Sequence, residues 1–207
     1  LKYLMKNVVE VYHCAAYKHV YFGENNNEEV KSVNIDGLDH LIQISLGNNV
    51  EKFIFTSSDK AVNPATSMGI SKLFGERMVL SANKISASGF ISVRFGNVLG
   101  SSGSVYTIFE RQINEKVPLT ITDKSMTRFF MTKNEAIKLL LEASRLGVGG
   151  EVFVTKMPVI NIFDLAVAMH KKYSTGDDNF DYQLVGQNKN EKLYEELMTE
   201  DECMMCK

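Results

Sequence analysis

An α/β fold built on a parallel sheet is predicted by three features of the sequence. Short apolar, β-branched runs recur at 8–16, 52–58 and 90–95; stretches of helical periodicity lie between them; and polar clusters stand where the runs end. Ligands of such sheets bind beyond the carboxyl ends of the strands. Those ends fall at Ala15, Ser58 and Gly96.

The first run, VVEVYHCAA, reads as a buried strand that ends in small residues, leaving room for something to approach the backbone. From Glu28 to Leu46, Val30, Val33, Leu38, Leu41, Ile42 and Ile44 recur at helical spacing and predict a helix packed on a sheet face. KFIFTSS (52–58) is the next strand and delivers Ser57, Ser58, Asp59 and Lys60 at its end. Pro64 discourages helix before it, and Ser67 is the expected cap of a helix carrying Met68, Ile70, Lys72, Leu73, Phe74, Met78 and Val79, which stops near 86–89. FISVRF (90–95) follows as a strand. Beyond Gly103 the pattern predicts helices at 105–115, 134–146 and 162–173 and short strands at 119–121 and 152–154, a smaller α/β lobe interleaved with the sheet. The expected division is 1–103, 104–200 and a disordered tail at 201–207.

With 207 residues, 44% hydrophobic and 23% charged, the chain can bury one sizeable core. A net charge of -2 gives no field to hold nucleic acid or an anionic membrane, so neither is an expected partner. The apolar stretches are too short to cross a bilayer and no signal core opens the chain, which points to a soluble, cytoplasmic protein. The three cysteines form no disulfide framework. Cys203 and Cys206 read as CMMC in a frayed tail rather than as half a zinc site or a redox pair, and the four histidines lack ligand spacing, so no metal is expected. No G-x-G-x-x-G occurs anywhere in the chain.

Met68 and Lys72 are four apart on the predicted helix and share a face, next to the strand end with Ser58, Asp59 and Lys60. By themselves these residues are a lysine beside an acid and a hydroxyl, or simply solvated loop charges. The wider sequence narrows the choice. FTSSDKAVNPATSMGISK (55–72), RFGNVLGSSGSV (94–105), LTITDKSMTRFFMT (119–132) and EKLYEEL (191–197), in this order, resemble the polysaccharide-biosynthesis branch of the extended short-chain dehydrogenases, particularly the UDP-N-acetylglucosamine 4,6-dehydratases. Most of that class shows Tyr-x-x-x-Lys; the Met68-x-x-x-Lys72 spacing is similar to a methionine-containing subgroup.

The resemblance implies the C-terminal part of a Rossmann-like parallel sheet with a small α/β lobe for the UDP-sugar, the first strands and the glycine fingerprint preceding Leu1. It implies tightly held NAD or NADP, hydride taken from sugar carbon 4 and returned to carbon 6, and loss of water across carbons 5 and 6. Lys60 would remove the carbon-5 proton, Asp59 protonate the departing hydroxyl, and Lys72 bind the nicotinamide ribose. Such roles ask for a neutral Lys60 and a protonated Asp59. Met68 cannot ionise, which leaves Ser58 to relay the carbon-4 hydroxyl proton. Ala15, Ala16, Lys18, Ser57 and Arg94 join Lys72 on the cofactor side. Asn97, the amides near Ser104 and Val105, Arg128 and Glu191 face the UDP-N-acetylhexosamine, Arg128 otherwise being an ion-pair partner of Asp123. Asn188 stands where the family commonly has an arginine, a departure for which Lys189 compensates as a point charge. Homo-oligomers are implied through the helix of Leu73, Phe74, Met78 and Val79. A nucleotide-sugar 4-epimerase and a non-catalytic binding or self-association module are the competing expectations.

Overall fold

The computed structural model describes residues 2–174, 179–188 and 190–206. In chain order the elements are β1 (Glu10–His13), α1 (Val20–Glu24), α2 (Asn27–Lys31), a π-helical turn (Ser32–Asp36), α3 (Gly37–Leu46), β2 (Lys52–Ser58), a 3-10 turn (Asp59–Ala61), α4 (Ser67–Lys84), β3 (Gly89–Phe95), β4 (Asn97–Val98), α5 (Val105–Asn114), β5 (Leu119–Ile121), β6 (Thr127–Met131), α6 (Lys133–Leu146), β7 (Val152–Phe153), β8 (Val159–Asn161), α7 (Ile162–Tyr173), β9 (Tyr182–Leu184) and α8 (Glu200–Met205). Two compact units emerge, residues 1–95, 134–156 and 196–207 in one, 96–133 and 157–195 in the other.

The first unit is built on a four-stranded sheet of order β1-β2-β3-β7, parallel at every pairing. β2 is apolar through Phe53, Ile54 and Phe55 because both of its faces are covered, and β3 is buried along almost its whole length for the same reason. On one face Phe53, Phe55 and Phe90 pack with Leu38 and Ile42 of α3 and Val79 and Ala82 of α4. Gly75 lets α4 approach β2 closely, since a Cβ there would meet Phe55 and Leu38 at 2.6 and 3.0 Å.

The second unit holds a three-stranded sheet, β4-β6-β8, and a parallel pair, β5-β9. Its core is Phe109, Ile113, Leu119, Ile121, Met126, Phe130, Ile162, Ala166 and Met169. Asn161 caps α7 by accepting from the Asp164 amide.

Three expectations are corrected. The boundary lies after Phe95 rather than at 103, while 134–156 return to the sheet unit, the interleaving that was expected, because β7 pairs with β3 and α6 leads into it. The cap of α4 is Thr66, whose hydroxyl accepts from the Gly69 amide at 3.2 Å, while the Ser67 amide donates to Glu24. The tail expected to be disordered forms α8 through Met205: Thr199 and Glu202 make a reciprocal capping box, and Glu202 is anchored by Arg94. Among the described residues no helix is long and apolar enough to cross a membrane.

Candidate active site

Ser58 ends β2 in extended conformation and its side chain accepts from the Lys60 amide, so the chain leaves the sheet in one tight 3-10 turn. That turn fixes two adjacent side chains together. Asp59 has no exposed surface; its Oδ1 accepts from Ser58 Oγ at 2.8 Å and from Lys60 Nζ at 3.0 Å. Oδ2 is buried with no hydrogen-bond partner. A carboxylate oxygen kept dry and unused in a native fold calls for an explanation, and a reactive role is one. The Lys60 side chain retains 20% exposure.

α4 brings the second pair of residues to the same strand end. Gly69 lies against the Lys60 carbonyl so closely that a Cβ would collide with it. Met68 and Lys72 are both buried on this helix. Lys72 Nζ donates to the Thr56 carbonyl at 2.8 Å and sits 4.8 Å over the Phe55 ring. Burial pushes its ammonium down to about 8, partly opposed by Cys14 and Glu76. The amine can therefore lose or regain a proton near neutral pH.

At the end of β1, His13 stacks on Phe55 with ring centroids 5.9 Å apart, and its Nε2 is buried without a partner. Burial, with the Lys72 charge second, brings its pKa down to about 4. Ala15 is exposed, Ala16 half-buried and Lys18 exposed. The segment is held by Asn34, which was absent from the expected site. The Asn34 amide accepts from the Tyr17 amide at 2.7 Å and donates to the Tyr17 carbonyl and to Ser71 Oγ. Ser71 in turn donates to the Met68 carbonyl, so one buried side chain links the end of β1 to α4. Its sequence signal is a polar residue in the stripe Val30, Asn34, Leu38, at the centre of the π-helical turn.

Two residues expected on the cofactor side belong instead to a structural network. Arg94, 2% exposed, spends Nε and Nη2 on Glu76, Nη1 and Nη2 on Glu202, and Nη1 on the Leu197 carbonyl. Burial opposes its charge, but these two carboxylates raise its pKa above the ordinary value. Ser57, beside Arg94 across the sheet, donates to Glu76 Oε1 at 2.6 Å. A guanidinium committed on all three nitrogens has nothing left for a dinucleotide.

In the second unit, β4 seats Asn97 and Val98 against Phe130 and Met131. Ser104 precedes α5 without capping it, and its Oγ is buried without a partner; Val105 opens the helix. An unmatched hydroxyl at a helix N-terminus suits an anion. Arg128 is turned onto the following segment: its guanidinium donates to the Thr127, Leu193 and Lys192 carbonyls and lies 3.6 Å from Glu191. Glu191 accepts from the Asn188 amide and side chain, while Asp123 accepts from Ser125 rather than pairing with Arg128. Lys189 lies outside the described residues.

Among curated proteins, the chain is 43% identical over 98% of its length to "Uncharacterized membrane protein MJ1061" of Methanocaldococcus jannaschii. It is 36% identical over 96% to the UDP-N-acetylglucosamine 4,6-dehydratase (inverting) of Campylobacter jejuni and 35% over 96% to a UDP-glucose 4-epimerase of Rickettsia rickettsii. It spans 63%, 58% and 58% of those three proteins. The solved structure of Pen from Bacillus thuringiensis superposes with a TM-score of 0.93 at 43% identity, covering 98% of this chain and 65% of that one. The dTDP-glucose 4,6-dehydratase DesIV of Streptomyces venezuelae, solved with NAD and TYD bound, shares the fold at a TM-score of 0.88 and 15% identity, over 95% of this chain and 66% of that one. The chain thus shares its fold with both solved proteins. A family profile described as "Polysaccharide biosynthesis protein" matches residues 1–207, and with the relatives' identity it establishes that the chain belongs to that family.

Proposed function

We propose that these residues carry out the elimination step of a UDP-N-acetylhexosamine 4,6-dehydratase, acting in the cytoplasm in the synthesis of surface polysaccharide. The carrying observation is the fully buried Asp59 held between Ser58 Oγ and Lys60 Nζ at the end of β2. The hydrogen bond from Ser58 gives a route for the sugar's carbon-4 hydroxyl proton, through Ser58 to Asp59. Asp59 then gives that proton to the hydroxyl leaving carbon 6. Lys60 takes the carbon-5 proton and returns it to carbon 5, so each residue ends in the state in which it began. Met68 supplies an apolar wall that takes no part in proton traffic.

NAD or NADP, when bound, supplies reversible hydride storage for this chemistry. The residues suited to its nicotinamide end are Lys72, whose buried amine sits beside Thr56 and Phe55, and Ala15 and Ala16, which leave space. Lys18 is exposed near them. The glycine fingerprint that cradles the cofactor's phosphates in many such sites does not occur in this sequence. Ser104, with the amides that open α5 at Val105, and Asn97 are the candidates for the substrate diphosphate. Arg128 orders Glu191 and its neighbours there without spending its charge on phosphate. Self-association through α4 fits its exposed Ile70 and Phe74, although Val79 faces the core.

The test is mass spectrometry of UDP-N-acetylglucosamine incubated with the protein and NAD+ or NADP+. A product lighter by one water supports the dehydratase. An isomer of unchanged mass indicates a 4-epimerase, for which Lys60 would have no task. No product from a protein that binds both NAD(P)+ and UDP-N-acetylglucosamine by calorimetry identifies a non-catalytic module.

A further inference from the structure

We propose that Met198, Cys203 and Cys206 form a site for a soft monovalent cation of the Cu(I) class, just beyond the residue that anchors α8. Two sulfur atoms meet at the end of the sheet unit, and a third cysteine stands three residues away in the chain. Cys206 Sγ lies 3.3 Å from Met198 Sδ, so the thiol of the residue that follows α8 and a thioether from the residue before its N-cap Thr199 are already together. Cys203 lies within α8, three residues before Cys206, whose φ of -59° as C-cap keeps its Cβ on the helical path, the spacing that places two side chains on one face. Both cysteines are free and exposed, which leaves an entry path for the ion.

The donor set decides the class of metal. Thiolates and thioethers favour Cu(I), whereas zinc prefers four nitrogen, oxygen or thiolate ligands. Among the described residues no group of three or more histidine, cysteine, aspartate or glutamate side chains could complete such a zinc site. Two thiolates and one thioether suit a cation of low coordination number. The metal enters and stays as Cu(I), with no electron transferred; each coordinating thiol releases one proton to solvent, and the hydrogen bond from Cys206 to Met198 gives way to a metal bridge.

The site is also preorganised. Glu202, immediately before Cys203, is held by Arg94 at 2.7 and 2.8 Å and by the Thr199 amide at 2.8 Å, so the backbone bearing the ligands is fastened to the sheet before any metal arrives. Joining Met198 to Cys206 would clip α8 across both of its ends.

The experiment is a competition between the 207-residue chain, with Cys14→Ser to remove the third thiol, and a chromogenic Cu(I) chelator under reducing, oxygen-free conditions. The expected result is one Cu(I) withdrawn per chain, a near-ultraviolet sulfur-to-copper band, and slower amide exchange in residues 199–206. Cys203→Ser with Cys206→Ser should abolish withdrawal. Met198→Leu should weaken it by about tenfold or more, while Met204→Leu with Met205→Leu, which alters two exposed neighbours, should leave it unchanged. Retention of copper by the double cysteine variant, indifference to Met198→Leu, or tighter binding of Zn(II) than of Cu(I) would each overturn the proposal. Because these side chains are exposed or half-buried, thermal melts of the variants should match the parent and separate loss of ligand from loss of fold.

Discussion

Lys60 Nζ stands 3.0 Å from Asp59 Oδ1, on a carboxyl group with no exposed surface. A base and an acid on consecutive residues can serve opposite ends of one elimination only if the turn holding them is rigid, and the bond from the Lys60 amide to Ser58 Oγ gives it that closure. Lys60→Ala and Asp59→Asn should each lower turnover of UDP-N-acetylglucosamine by about 10²- to 10⁴-fold, measured as product formed under saturating substrate. Lys60→Arg should not rescue it, since a guanidinium keeps its proton. Unchanged turnover in either of the first two variants would remove the chemistry proposed for this pair.

Gly69 controls how close α4 comes to that turn. An added Cβ would overlap the Lys60 carbonyl and press on Pro64 at 3.2 Å, and both are backbone or ring atoms with little freedom to yield. Gly69→Ala should therefore destabilise the fold by about 1–3 kcal/mol, read by denaturant unfolding, and should reduce turnover more than it weakens substrate binding. Ala is otherwise the better helix former, so a stabilised variant would show that the helix and turn are not packed as described.

The parts of the fold that could be read from sequence are those in which local pattern and tertiary burial agree. β2 and α7 fall within the expected ranges because their apolar runs and periodicities are uninterrupted. β6 and β8 were missed: each is short, and β6 contains Arg128, whose burial depends on carbonyls 64 and 65 residues further on. The Asp59 and Lys60 pair was legible because adjacent residues share one turn. Arg94 was misread for the opposite reason. A charge at a strand end looks like a ligand contact until its partner Glu202, 108 residues away, is seen beside it. Asn34 carried a signal, a polar residue on an apolar stripe, but the two segments it joins are related only in the fold.

His13 gives the fold an acid-sensitive point. Its pKa falls from 6.5 unfolded to about 4 folded, so the unfolded chain binds more protons in this interval and stability rises with pH across it. The contribution is complete above about 6.5 and is lost as pH falls through about 4. Between pH 7 and pH 4 the parent should lose roughly 2–3 kcal/mol more unfolding free energy than His13→Phe, which keeps the stack on Phe55 and cannot titrate. Equal losses in the two proteins would mean that the imidazole is solvated rather than buried.

Arg94 and Glu202 should reveal whether the last helix is part of the sheet unit's stability. Glu202 is held below its ordinary range mainly by the Arg94 hydrogen bond, so its contribution is present above about 4.5 and is lost as pH falls through its lower folded value. Glu202→Gln should cost about 2 kcal/mol at pH 7, because Arg94 keeps Glu76 but loses a second carboxylate. Glu76→Gln should cost more, since it weakens the more deeply buried of the two ion pairs and a bond to Ser57 as well. A double-mutant cycle at pH 7 measures the coupling of the two carboxylates through the shared guanidinium. If the two effects add without coupling, Arg94 does not join α8 to the strand end, and the clasp formed by the C-terminal segment is no more than a surface ion pair.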